Sequence, residues 1–459
     1  MVQRKDSGTV VQERRLEEYR RILSVNPECQ KAVDICIKKH DRPEEKEYLL
    51  VWAPALIEYV NWVIKDAAGK GIKRLYFLSR DAYPMYLAAA KITEKLGIDI
   101  DCRYIKVSRY SLRIPEYHLL GEKCLDRIFI SGIDVSLRKI LRRAKLTDTE
   151  IEEICKEINY RQDIDNVLNR KEILDLKEKF RKKSSLIFKY IDRHSKEAYQ
   201  NCLGYLKQEG MLEKISWAVV DSGWVGTIQK SIQNILATEE AVIRVRGYYF
   251  GLYEMPDDIT SCTYTAYYFE PKWKIKRKMN FSNCLYEVIY TEAAPMIKGY
   301  EKCGEEYRPV YSNTQNPNSK EIQKNTELLL ELLEEYLSDG SSELNRFRPI
   351  CEKLYRRVMG DPTKWESKYY GGFLFSDDIC DENIKKTANE LTQKEIKDLG
   401  VISKLLIMTG ISKKVIHESA WIEGSIVNLD KNIKANLRRV KRAKYLTYLR
   451  QSVKAMKNR

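Results

Sequence analysis

Histidine is scarce in this chain and cysteine is never closely paired, and both shortages exclude chemistry. Of 459 residues only four are histidine, namely His40, His118, His194 and His417. Eleven cysteines are present, but no C-x-x-C pair, and the nearest two are Cys29 and Cys36. Structural zinc needs close ligand pairs, so no structural metal is expected. Scattered cysteines read instead as buried free thiols in a reducing compartment. No apolar run approaches the roughly 18 residues of a membrane-spanning helix, so none is expected. The opening MVQRKDSGTVVQERRLEEYRR lacks an apolar signal core, which points to the cytoplasm. Also missing are G-x-S-x-G, a P-loop with its lysine, H-E-x-x-H and G-x-G-x-x-G.

Positive charge is plentiful but unevenly placed. The net charge is +15, and residues 431–459 hold 11 Lys or Arg with no acid, which leaves +4 for the rest. The tail spaces Ile433, Leu437 and Val440, then Leu446, Leu449, Val453 and Met456, at three and four. Two readings stay open. One is a basic amphipathic helix making peripheral contact with an anionic membrane at its inner face. The other is a terminal helix packed on its own domain. No recognition fold accompanies the charge, so specific nucleic-acid binding is not expected.

The hydrophobic pattern predicts an α/β chain with a parallel-sheet, Rossmann-like core, a helical insertion and a C-terminal helical domain. Residues 1–48 read as an N-terminal helical segment. The core spans 49–306: RLYFLS and CRYIKV alternate with helical stretches, and SWAVVD and two Tyr-rich strands follow. An insertion at about 125–210 is helical, and TDTE at 147–150 has the form of a capping box. YRPVYSNTQNPNSKE (307–321) reads as a loop or linker, 322–430 as a helical domain, and 431–459 as the basic tail.

Two loops share one grammar: each leaves an apolar strand and opens a helix, in LYFL-SRDAYP and WAVV-DSGWVGT. Ligands of parallel α/β sheets gather at the carboxyl ends of strands, and helix N-termini there suit phosphate. Ser79, Ser222 and Thr227 are expected to add hydroxyl donors and Arg80 a forked cation. Gly223 and Gly226 would let backbone amides approach a ligand. Trp224 would either stack on a sugar or base or cover the sheet end. VSRYSLRIP, at the exit of a third strand, adds Arg109 and Arg113. Acid–base chemistry would fall to Asp81 or Asp221. The competing account is that these are ordinary helix caps. Glu287 and Glu292 read as surface or capping acids, with pocket-lining as the lesser alternative.

YFLSRDAYPMY, YIKVSRYSLRIP and AVVDSGWVGTIQKS together resemble a module of bacterial surface-polysaccharide gene clusters. That module lies downstream of the hydrolase domain in large haloacid-dehalogenase-like proteins, and the resemblance spans roughly residues 50–300. The phosphatase family needs a D-x-D nucleophile loop, and nothing before Ser79 supplies one. The same loops are similar to those of type I phosphoribosyltransferases. That likeness implies pyrophosphate binding by Ser79–Asp81, ribose or Mg²⁺ binding by Asp221, and a phosphate cradle at Gly226 and Thr227. One acid stands where that family usually has two. The expectation is a transferase-like protein binding a phosphorylated sugar or nucleotide sugar, with Mg²⁺ as its one possible cofactor. The alternatives are a non-catalytic scaffold module and a haloacid-dehalogenase-like hydrolase lacking its nucleophile.

Overall fold

The computed structural model describes residues 7–130, 135–239, 243–256, 263–338, 347–376, 384–401 and 419–457. At its centre is a five-stranded sheet in the order β2-β1-β3-β4-β5, parallel throughout. The strands are β1 (Arg74–Leu78), β2 (Asp101–Ile105), β3 (Trp217–Trp224), β4 (Gly247–Leu252) and β5 (Tyr264–Phe269). Every residue of β1 and β4 is buried, as expected of strands covered on both faces.

Successive side chains of a strand point to opposite faces, and the two cores divide accordingly. Leu75, Phe77, Val220 and Phe250 face one core, beneath helices Ala53–Gly69 and Tyr83–Lys95. Tyr76, Leu78 and Val219 face the other, beneath helices Arg109–Leu120, Ser184–Gln208 and Thr227–Leu236. The first core also takes in Tyr19 and Leu23 near the N-terminus and Leu332, Tyr355 and Trp421 beyond residue 322. Helices from both ends of the chain thus complete one face of the sheet. A third cluster, including Ile151, Phe180 and Ile191, fills the helical region between β2 and β3. Its TDTE segment does form a capping box, with Thr147 and Glu150 exchanging bonds.

Three local departures have physical reasons. Residues from Arg109 on are helical rather than a strand exit, because Ser108 caps the helix and Ser111 returns the bond. Pro115 sits inside that helix despite removing a backbone donor. The start of the expected 307–321 linker is strand: β7 (Glu306–Tyr311) pairs antiparallel with β6 (Ile297–Cys303). A further short hairpin joins β8 (Leu374–Ser376) to β9 (Ile384–Lys386). Finally, β3 runs on through Ser222, Gly223 and Trp224, where a loop was expected, because β4 offers Gly251 and Leu252 as partners. Among the described residues no helix is long and apolar enough to cross a membrane.

Candidate functional site

Strand β1 lies between β2 and β3, so the chain turns opposite ways from its two central strands. A crevice opens at such a switch point, outside the carboxyl ends of the strands. Here it is a cavity of about 580 Å³, and all eleven residues expected at the site line it. They come from the ends of β1 and β3 and from helix Arg109–Leu120, which the topology alone brings together.

One wall is acidic. Asp221, at the end of β3, is only 8% exposed, and the Ser222 hydroxyl donates to Asp81 at 3.1 Å from the neighbouring loop. Burial, and then the charge of Asp81, push the Asp221 carboxyl up to about 7. The amides of Ser222 and Gly223 and the charge of Arg109 oppose that rise. Asp221 is therefore poised to exchange a proton near neutral pH.

Another part of the lining is cationic. Arg113, on helix Arg109–Leu120, is 7% exposed and lines the cavity. Its Nη2 donates to Thr227 Oγ1 at 3.0 Å, while Nε and Nη1 have no hydrogen-bond partner. Burial lowers its pKa to about 10, and Arg109 and Arg127 push the same way. A buried cation with unmade bonds costs stability, and an anion in the cavity would remove that cost. Thr227 also opens helix Thr227–Leu236, whose N-cap, Gly226, supplies no side-chain cap. The helix start, with no side-chain cap and its positive dipole end, thus adjoins Arg113.

The other expected residues are engaged differently. Ser79 is not a free hydroxyl donor: it donates to the Val107 carbonyl at 2.6 Å and accepts the Val107 amide at 2.9 Å. It clamps the ends of β1 and β2 together. Arg80 lines the cavity, and its carbonyl accepts the Tyr83 and Glu292 amides, both at 3.1 Å. The glycines answer to the protein's own packing. Gly223 has φ +110°, and a Cβ there would lie 2.4 Å from the Gly251 carbonyl oxygen. At Gly226, with φ +67°, it would lie 2.6 Å from the Tyr264 ring. Trp224 packs its ring among Phe269, Phe281 and Tyr286 and donates its indole N–H to Glu287, covering the sheet end.

Among the lining residues, Arg127 escaped the sequence reading and Glu287 stood there only as a lesser pocket-lining alternative. Glu287, taken there for a surface or capping acid, holds Trp224 at the cavity wall. Arg127 lines the cavity while donating to Glu116 at 2.7 Å and Ser231 at 3.0 Å. The available signal was charge inside an apolar run, Glu287 alone in LYEVIY and the Asp126–Arg127 pair in CLDRIFI. Glu292 instead binds Lys106 and the Tyr104 hydroxyl, each at 2.7 Å. Among the described residues no group of three or more His, Cys, Asp or Glu is disposed to hold a metal ion. Asp81 and Asp221 alone fit Mg²⁺ of the kind that arrives on substrate phosphates and needs one or two carboxylates.

No protein-family model matches the chain, and no curated protein matches it significantly.

Proposed function

We propose that this cavity binds a phosphorylated sugar or nucleotide sugar, and that the chain is a phosphoribosyltransferase-like or glycosyl-type transferase of bacterial surface-polysaccharide biosynthesis. The observation that carries this reading is Arg113: buried, at the cavity wall, with two guanidinium nitrogens unbonded beside an uncapped helix start. A phosphate there would take the fork of Arg113, the Thr227 hydroxyl and the first amides of helix Thr227–Leu236. In the same cavity, Asp221 and Asp81 suit sugar hydroxyls or the Mg²⁺ of a diphosphate. Asp221, titrating near 7, would take the proton of an attacking acceptor. The biosynthetic setting rests on the sequence resemblance alone.

Thermal-shift titration tests this. The purified chain would be titrated with phosphoribosyl pyrophosphate plus Mg²⁺ and with a panel of nucleotide sugars. A saturable rise with one donor, lost in Arg113→Met, supports the reading. No rise with any of them sinks it. A second reading, a non-catalytic binding module, draws support from Ser79 and Trp224 being committed to internal contacts. Binding without turnover of the bound donor would favour that one.

A further inference from the structure

The C-terminal helix, Ile433–Lys457, has two different faces. Its inner face is pinned to the body. Lys441 pairs with Asp361 at 2.6 Å and Lys444 with Glu423 at 2.7 Å. The Ser452 hydroxyl donates to the Pro271 carbonyl at 3.1 Å, and the Tyr448 ring stacks on Tyr253 with centroids 5.5 Å apart. Val440 and Ala443 are buried beneath it. The packed-helix expectation describes this face.

The outer face is unlike an ordinary solvated one. Tyr445, Leu446, Leu449, Val453 and Met456 are each between 38 and 47% exposed. Their spacing of three and four puts them in one stripe about 16 Å long. Arg438, Arg439, Arg442, Arg450, Lys454 and Lys457 are exposed around it, and this helix contains no acid.

We propose that this face docks on the surface of an anionic lipid bilayer, with the stripe at the boundary between headgroups and acyl chains. The proposal is independent of what the cavity binds. Charge complementarity selects the occupant: aliphatic residues ringed by lysine and arginine match apolar chains beneath a negative headgroup layer. A second copy of the chain would bring the same positive charge to the contact and be repelled. Nucleic acid would satisfy the basic ring but leave Leu446, Leu449, Val453 and Met456 with nothing to stack on or bond. Because the inner face is held by ion pairs and a ring stack, the outer stripe is presented on an ordered helix. Docking then requires little further ordering of the chain.

The test is co-sedimentation of the full chain with vesicles of phosphatidylcholine alone or with about a third phosphatidylglycerol. The expected result is at least tenfold stronger partitioning to the anionic vesicles, weakened several-fold by raised salt. Leu446→Glu/Leu449→Glu/Val453→Glu should lose at least tenfold, and Arg450→Gln/Lys454→Gln a few-fold. Leu446→Ser/Leu449→Ser serves if the charged triple variant melts early. Equal partitioning to both vesicle types overturns the proposal. So does full anionic binding by the stripe variants, and heparin binding to them as tight as to the parent would then assign the face to soluble polyanions.

Discussion

Two charged clusters with buried members use the same ingredients in different surroundings. In one, Glu47 and Glu366 are both fully buried beside Arg15. Glu366 accepts the Tyr19 hydroxyl and the Thr363 amide at 2.5 Å each, with Arg15 3.3 Å away. Arg15 donates onward to the Asp361 carbonyl at 2.6 Å, and Gln12 reaches Glu47 at 3.4 Å. In the other cluster, Asp81, Asp221, Arg109 and Arg113 line the cavity. Burial raises the acids in both: Glu47, Glu366 and Asp221 all sit above the ordinary carboxylate range. A perturbed acid therefore does not by itself mark a site. The guanidinium separates the two clusters by degree: Arg15 ends on Glu18 and the Asp361 carbonyl with Nε alone lacking a hydrogen bond, whereas Arg113 has a single bond, to Thr227, and two buried nitrogens unbonded at the cavity wall.

The sharpest way to break this comparison is to remove each cation with a side chain of similar size. Arg15→Met leaves a buried acid pair without its counter-charge, and should cost about 3–5 kcal/mol in urea unfolding. Arg113→Met removes a desolvated charge with few bonds, and should change stability by about 1 kcal/mol or less, in either direction. Equal losses would make Arg113 another structural cation and remove the main argument for an anion in the cavity.

The next largest effect depends on pH. The folded-state pKa of Asp221 is raised, to about 7 from 3.8. Its contribution to stability is therefore whole below about pH 4 and is lost as pH rises to about 7. Asp221→Asn escapes that loss. The variant should match the parent near pH 4 and exceed it by about 4 kcal/mol at pH 8, with the gap opening between. Unfolding free energies across that range measure it, and a gap independent of pH would mean that Asp221 is not held protonated in the fold. Coupled to loss of any donor-induced thermal shift, the gain would mark an acid kept at a cost to stability.

Much of this was legible beforehand, for reasons that differ by residue. RLYFL and WAVVD read as strands because both faces of a parallel strand are apolar. Asp81 and Asp221 could be placed together because strand ends in such sheets share one edge. Arg113 could be named only as a cation near a strand exit. Its burial and unmade bonds depend on a helix begun by Ser108 and on Thr227, which follows it by 114 positions. Arg127 was missed, and Glu287 ranked only as a lesser alternative, because tertiary packing brings their short helices to the cavity and periodicity does not report it. Gly223 and Gly226 were read as room for a ligand. The glycine requirement comes from Gly251 and Tyr264, which sequence spacing does not bring near.

The smallest effect separates two hydroxyls that the sequence treats alike. Ser79 holds both backbone groups of Val107, so Ser79→Ala leaves a buried amide and carbonyl without that partner. It should cost about 1–2 kcal/mol of stability and leave affinity for any cavity ligand within about twofold. Thr227 contributes one acceptor to Arg113 and keeps its own proton to donate. Thr227→Val should therefore weaken a bound phosphate about fivefold, the loss of roughly one hydrogen bond, with stability moved by less than about 1 kcal/mol. Urea unfolding and donor titration of the two variants check this together. If the pattern reverses, the strand-end clamp at Val107 is dispensable and the first loop is the phosphate contact. The anion site would then move from the Arg113 wall to Ser79 and Arg80.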